Sequence, residues 1–194
     1  FGVFSFQGAK MVVTGEGGMI VSNDKSLIEV VRRIGDHGRA PKEGNPFWID
    51  CIGFKYKMSN LQAAFGLAQI ERLDELIMKK RTIFEWYKDR LKNIDGLQLN
   101  TEADWAKSIY WMPSICLNGD FPITRDQLAN ALKGDLIDTR PVFPKVSAMK
   151  MWNDQDNPIA TNISNNALNL PGGHNLREEI VDYICRSIKH HLNS

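Results

Sequence analysis

The chain has 194 residues, a formal charge of +1, 43% hydrophobic residues and 24% charged residues, the balance of an ordinary globular protein with room for a real core. That charge excludes a strong electrostatic footprint for nucleic acid or an anionic membrane, and no apolar run reaches the roughly 18 residues that span a bilayer. Three scattered cysteines, Cys51, Cys116 and Cys185, exclude a disulfide framework or a Cys-x-x-Cys metal knuckle and point to a reducing, cytoplasmic setting.

The first residues, Phe1-Gly2-Val3, read as the middle of a strand with no initiator methionine, so the chain is expected to be a fragment. Val3–Phe6 predicts a strand, followed by a tight turn carrying Lys10, a second strand, a Gly15-Glu16-Gly17-Gly18 turn and a third strand over Met19–Ser22. Glycines at such a corner permit positive φ, and Glu16 is expected to accept backbone N–H bonds inside the turn. Small residues at Gly8 and Ala9 let another group approach the backbone just before Lys10. That lysine reads either as a solvated loop charge or as an amine placed for chemistry.

Asn23-Asp24 can cap a helix whose apolar positions Leu27, Val30, Val31 and Ile34 follow i, i+3, i+4, i+7 spacing, with Gly35 as a stop. Asp36 to Met58 is a long connection holding Gly38, Pro41, Gly44, Pro46 and Gly53, and a loop of that length is often functional. It mixes Arg39, Lys42, Lys55 and Lys57 with Phe47, Trp48, Phe54 and Tyr56. That is the composition of a single-strand nucleic-acid patch or of an oligomer interface. His37 reads as an acid–base partner of Asp36 or as a surface or interface histidine.

Ser59-Asn60-Leu61-Gln62 is a capping box opening a long helical run, with Leu61, Ala64, Phe65, Ala68, Leu73, Leu76, Ile77, Ile83, Phe84, Tyr87 and Leu91 as its apolar stripe. A bend is expected near Asp74-Glu75 and a stop at Gly96. Leu97–Leu99 and Ile109–Leu117 read as strands, the second placed at an edge or bulge by Pro113. Thr124-Arg125-Asp126-Gln127 caps a short helix ending near Gly134, and Leu136–Val142 reads as a strand. It carries Arg140, which could clamp an anion or pair with Asp138. Pro141, Pro144 and Pro158 mark an irregular region, and Asn175-Leu176-Arg177-Glu178 caps a final helix with Ile180, Val181, Ile184 and Ile188 on one side. His190-His191 at its end suits the helix dipole and has no carboxylate or cysteine in metal-ligand spacing, so no metal site is expected. No phosphate loop of the Walker or dinucleotide type is present. Strands alternating with helices predict an α/β or α+β layered unit on the long helix.

Several motifs carry a resemblance. They are Phe4-Ser5-Phe6-x-x-x-Lys10, Thr14-Gly15-Glu16-Gly17-Gly18-Met19 and Gly53-Phe54-x-Tyr56-x-Met58-Ser59-Asn60-Leu61-Gln62-Ala63-Ala64. Gln69-x-Glu71-Arg72-Leu73-Asp74, Thr139-Arg140-Pro141-x-Phe143 and Leu170-Pro171 continue the series. Together, and in order along almost the whole chain, they resemble the nucleotide-sugar aminotransferases, pyridoxal-phosphate enzymes of fold-type I, and most of all their perosamine-synthase-like branch. The resemblance implies an α/β fold that is the C-terminal part of such an enzyme. Residues 1–75 would end the large cofactor-binding domain, and residues 76–194 would form a long helix and a small α/β domain.

It also implies pyridoxal 5'-phosphate as cofactor, with Lys10 forming the internal aldimine and shuttling the proton, and Ser5 donating to the cofactor phosphate. Lys55 and Tyr56-Lys57 would reach across a homodimer interface to the partner's cofactor phosphate and substrate, and Phe143 would touch substrate. The implied substrates are a GDP-linked 4-keto-6-deoxyhexose and glutamate, in the biosynthesis of lipopolysaccharide O-antigen. Three positions depart from the family pattern: Lys55 stands where asparagine is frequent, Lys57 where arginine is frequent, and Gln7 where histidine is frequent. Lysine at 57 gives up a bidentate carboxylate clamp. Lys10 separates the chain from the family's dehydratase branch, which carries histidine there. The fragment alone is expected to turn nothing over. The alternative implied by the same fold is a catalytically inactive sugar-nucleotide sensor.

Overall fold

A computed structural model describes residues 1–40 and 45–193. Pro41, Lys42 and Gly44, counted above in the long connection, lie outside the described residues. The chain divides into two compact units, Phe1–Leu73 and Asp74–Ser194.

In the first unit, β1 (Gly2–Ser5) and β2 (Gly18–Val21) pair antiparallel, Gly2 opposite Val21 and Ser5 opposite Gly18. The expected middle strand is absent. Residues 7–12 are turns and bends instead, because Phe6 N–H bonds the Gly17 carbonyl (2.9 Å) and Thr14 N–H returns to the Phe6 carbonyl (2.8 Å). The segment carrying Lys10 therefore bulges out of a two-stranded ribbon.

Helix α1 (Lys25–Gly35) starts where Asp24 accepts the Ser26 and Leu27 N–H groups and stops at Asp36, with Arg32 and Arg33 in its last turn. Its predicted apolar face is uncovered in this chain: Leu27 and Val30 are each 42% exposed. Helix α2 (Asn60–Ile70) carries the predicted capping box of Ser59 and Gln62. It is apolar all round yet buries no side chain, with Leu61 85% exposed.

In the second unit, α3 (Leu73–Leu91) follows an interruption at Glu71-Arg72, slightly before the predicted bend. A four-stranded antiparallel sheet runs in the order β3 (Leu97–Leu99), β4 (Ser114–Leu117), β6 (Ala167–Asn169), β5 (Arg140–Pro141). Helices α4 (Arg125–Gly134), α5 (Pro158–Asn166) and α6 (Glu178–Leu192) complete the unit. Ile83, Tyr87 and Leu91 of α3, Leu128 and Leu132 of α4, and Val181, Ile184 and Ile188 of α6 form one buried cluster with Ile115 and Leu168 of the sheet.

Several expectations are corrected. Pro113 does not mark an edge: β4 lies between β3 and β6, and the proline precedes the strand, where its missing N–H costs nothing and its carbonyl accepts the Leu170 N–H at 2.8 Å. The strand predicted from Ile109 begins only at Ser114, because Tyr110 has φ +46° and stacks on Phe84 with ring centroids 3.7 Å apart. Leu136 at φ +61° likewise shortens the strand predicted over 136–142 to Arg140–Pro141. The region read as irregular contains α5 and β6. Pro158 opens α5 from its first turn, a position where a missing N–H is tolerated. No side chain caps α6, whose N-cap is Arg177. His191 does have a carboxylate beside it, 56 residues away in sequence: Asp135, at 2.9 Å, which also accepts from Ser187 Oγ at 2.5 Å. Those two hydrogen bonds hold the Asp135 carboxyl below its ordinary range.

Candidate active site

The hairpin that presents Lys10 is held from three directions. Thr14, only 7% exposed, donates its hydroxyl to the Glu16 carbonyl at 2.8 Å. From α2, Gln62 Nε2 donates to the same carbonyl at 2.9 Å, while Gln62 Oε1 accepts the Ser59 N–H at 3.1 Å to close the capping box. Gly66 lets α2 approach so closely that a Cβ there would lie 2.8 Å from Thr14 Cγ2. So it is the Glu16 backbone carbonyl that locks the turn, by accepting two bonds, where the residue was expected to accept backbone N–H groups.

One residue thus joins helix start to hairpin. Gln62→Ala removes the clamp and the side-chain half of the capping box, leaving the backbone N–H of position 62 on Ser59 Oγ. The expected cost is about 1 kcal/mol, with faster amide exchange at Phe6, whose N–H closes the hairpin onto Gly17. Urea unfolding and hydrogen exchange check both.

Within this frame Lys10 is half-buried, and its own N–H bonds the Gln7 carbonyl at 2.8 Å. Gln7 Oε1 accepts the Ala9 N–H at 2.9 Å, so the glutamine that departs from the family pattern stabilises the turn locally. Ser5, at the end of β1, accepts the Gln7 N–H on Oγ at 3.4 Å. Its own proton is thereby left to donate elsewhere. Ser5 therefore closes β1 and Lys10 sits on the bulge that follows, a hydroxyl and an amine on either side of Gly8 in sequence, where the nearest atom to an added Cβ would be the Gly15 carbonyl oxygen at 3.7 Å.

The long connection folds back on the end of α1 through two left-handed residues, His37 (φ +63°) and Gly38 (φ +72°). Phe54 N–H bonds the Ile34 carbonyl (2.7 Å), Tyr56 N–H bonds the Gly35 carbonyl (2.8 Å), and His37 N–H bonds the Phe54 carbonyl (3.0 Å). Tyr56 stacks on Phe54, with centroids 5.1 Å apart. Lys55 pairs with Asp36 through a backbone bridge, and Lys57 Nζ lies 3.5 Å from the Asp36 carboxylate. Asp36 thus serves Lys57 and Arg39 (3.9 Å) as counter-ion. Lys55, Tyr56 and Lys57 all remain exposed.

Tyr56 and Lys57 border an open, mainly apolar groove of about 1110 Å³, together with Phe4, Met19 and Val31. Neither Ser5 nor Lys10 is among the described residues that line it. The structure brings Ser5 and Lys10 together on the hairpin and Lys55–Lys57 together at the end of α1, as two separate clusters. Phe143 belongs to the second unit and is 71% exposed. Arg140, also exposed, pairs with Asp138 at 3.1 Å, the plainer of its two readings. Sequence reading missed the roles of Thr14 and Gly66. Their signal is faint: a Thr two residues before Glu16, and one glycine inside a helix that otherwise favours larger residues.

Residues 1–189 match the DegT/DnrJ/EryC1/StrS aminotransferase family. The GDP-perosamine synthase of Escherichia coli O157:H7 is 42% identical over 188 residues, 95% of this chain and 50% of that protein. The GDP-perosamine synthase of Vibrio cholerae is 34% identical over 98% of this chain and 52% of its own length. Among solved structures, the aminotransferase TlmJ from Streptoalloteichus hindustanus superposes with a TM-score of 0.90 at 25% identity, over 99% of this chain and 52% of that one. The chain spans about half the length of the curated relatives it matches. The match runs from the first residue almost to the last, and the chain belongs to the DegT/DnrJ/EryC1/StrS aminotransferase family, whose members depend on pyridoxal phosphate.

Proposed function

We propose that this chain carries the cofactor lysine of an aminotransferase that aminates a nucleotide-linked keto-deoxysugar, a GDP-4-keto-6-deoxyhexose, with glutamate as amino donor. The observation that carries the reading is Lys10, a half-buried primary amine on a bulge pinned on both sides, inside a family match that runs through it. The GDP-linked substrate rests on 42% identity to a GDP-perosamine synthase.

The donor set suits pyridoxal phosphate: an amine for its aldehyde, a hydroxyl with a free proton for its phosphate, and a glycine-widened turn between them. When bound, that cofactor supplies an electron sink through which an amino group passes from donor to keto sugar. Lys10 Nζ would hold it and would serve as the base and acid for the proton at the substrate carbon. Ser5 Oγ would hold the phosphate, with Lys55 adding a point charge from a second copy of the chain in a homodimer with shared sites. Tyr56 and Lys57 contact the substrates of that second copy, Lys57 as a single cation in place of a planar clamp. Phe143, in the second unit, is the remaining substrate contact of this reading.

The test is borohydride reduction of the chain with pyridoxal phosphate, followed by peptide mapping. A label on Lys10 is expected. A label elsewhere, or none, sinks the reading, and sugar-nucleotide binding without a label would favour an inactive sensor. The 194-residue chain by itself is expected to show no sugar transamination in a coupled glutamate assay.

A further inference from the structure

The bend between β6 and α6 is fastened to α3 in an unusual way. Lys80 and Tyr87 lie seven residues apart on α3, two turns along one face. Tyr87 Oη donates to the Pro171 carbonyl at 3.0 Å. Lys80 Nζ donates to the next carbonyl, Gly172, at 2.5 Å, and to that of Trp111 at 3.0 Å. Leu170 N–H adds a bond to the Pro113 carbonyl. Gly172 is packed so tightly that a Cβ would lie 2.7 Å from Pro113 Cδ and 3.8 Å from Lys80 Nζ. Lys80 is only 7% exposed, and its described hydrogen bonds go to backbone carbonyls. Burial lowers its pKa.

His174 stands two residues beyond Gly172. Its Nε2 is buried and has no hydrogen-bond partner among the described residues. Among those residues the charges acting on it are the ammonium groups of Lys80 and Lys79, both from α3, and Lys79 is itself paired with Glu75 at 2.8 Å. Burial first, and those cations second, hold the imidazole below its ordinary 6.5. The ring nitrogen is therefore an open basic position whose protonation would set a second cation near the Lys80 ammonium.

We propose that Lys80, Tyr87 and His174 form a proton-sensitive latch on the Leu170–His174 bend: neutral His174 leaves Lys80 holding the Gly172 carbonyl, and a proton on Nε2 releases it. The sign follows from linkage. Below 6.5 the unfolded chain takes up the proton before the folded one does. Stability is therefore full above that value and falls as pH drops from 6.5 toward the lower folded value. Glu102, which Arg81 holds at about 2, and Asp135, lowered from 3.8, act at more acidic pH and leave this window to histidine.

The experiment compares the chain with His174→Gln by urea unfolding between pH 7.5 and 5, and by amide exchange at Leu170 and Leu176. Over this range the folding constant of the unsubstituted chain should fall further than that of the variant. At pH 5.5 its two amides should exchange faster than the variant's. Equal pH dependence in the two proteins overturns the latch. Should the variant not fold, NMR titration of the His174 ring in the unsubstituted chain decides. A midpoint below 6.5 that coincides with loss of Leu170 protection supports the latch. A midpoint at or above 6.5, or one without that loss, overturns it.

Discussion

Replacing Lys10 with arginine is expected to abolish the borohydride-trapped label and to lower turnover of the assembled aminotransferase by about 10³-fold or more, the scale lost with a positioned proton-transfer group. Arginine keeps the length and the positive charge. Its guanidinium stays protonated and offers no amine to an aldehyde. The turn itself is held by backbone and by Gln7: Lys10 N–H on the Gln7 carbonyl, and Ala9 N–H on the Gln7 side chain. The variant should therefore fold, with amide exchange at Phe6 and Thr14 unchanged. Binding of pyridoxamine phosphate, which needs no covalent bond, should change only a few-fold. If Lys10→Arg keeps the label or retains turnover within tenfold, Lys10 is not the anchor.

Gly38→Ala is expected to be the most damaging single methyl in the first unit, at about 3 kcal/mol or more. Gly38 sits at φ +72°, and a Cβ there would lie 1.8 Å from the Cys51 carbonyl oxygen. The backbone on both sides is committed: Gly38 N–H bonds the Arg33 carbonyl at 2.8 Å, and its own carbonyl accepts the Asp50 N–H at 3.0 Å. Gly53 packs against the same point, its own Cβ position falling 2.1 Å from Gly38 N. The methyl must therefore push two backbone segments apart, and with them the support of Tyr56 and Lys57. Gly15→Ala is the control. That residue is also left-handed, at φ +82°, but nothing lies within 4 Å of its Cβ position, so only the conformational penalty of about 1 kcal/mol remains. Urea unfolding and limited proteolysis across residues 45–58 separate the two. Equal costs would show that the Cys51 contact is relieved without strain.

These positions mark how far the residues themselves could be read. The capping boxes at Ser59 and Thr124, the Asp24 cap and the core faces of α3 and α6 rest on contacts three or four residues apart, so local spacing suffices to predict them. Lys10 and Ser5 are proposed as site residues from motifs kept in order along the chain. Composition alone left Lys10 as one more loop charge. The missed features share a different cause. Tyr110 and Leu136 break predicted strands by adopting positive φ, a choice that tertiary packing imposes on residues with no local preference for it. Pro158 looked like a breaker because proline opens helices as well as ending them.

The sequence by itself determined helices α1 to α4 and α6, the caps at Asp24, Ser59 and Thr124, and which family's motifs the chain carries, but not α5. Only the tertiary structure decided that Gln62 clamps the Glu16 carbonyl, that Asp135 lies beside His191, and that Lys80 and Tyr87 grip successive carbonyls of the bend at Pro171 and Gly172. Each of these joins residues 46 to 92 positions apart. Helix and cap propensities act over one or two turns. Hydrogen bonds to backbone carbonyls accept any donor that folding brings within reach, and no short-range pattern records which donor that will be.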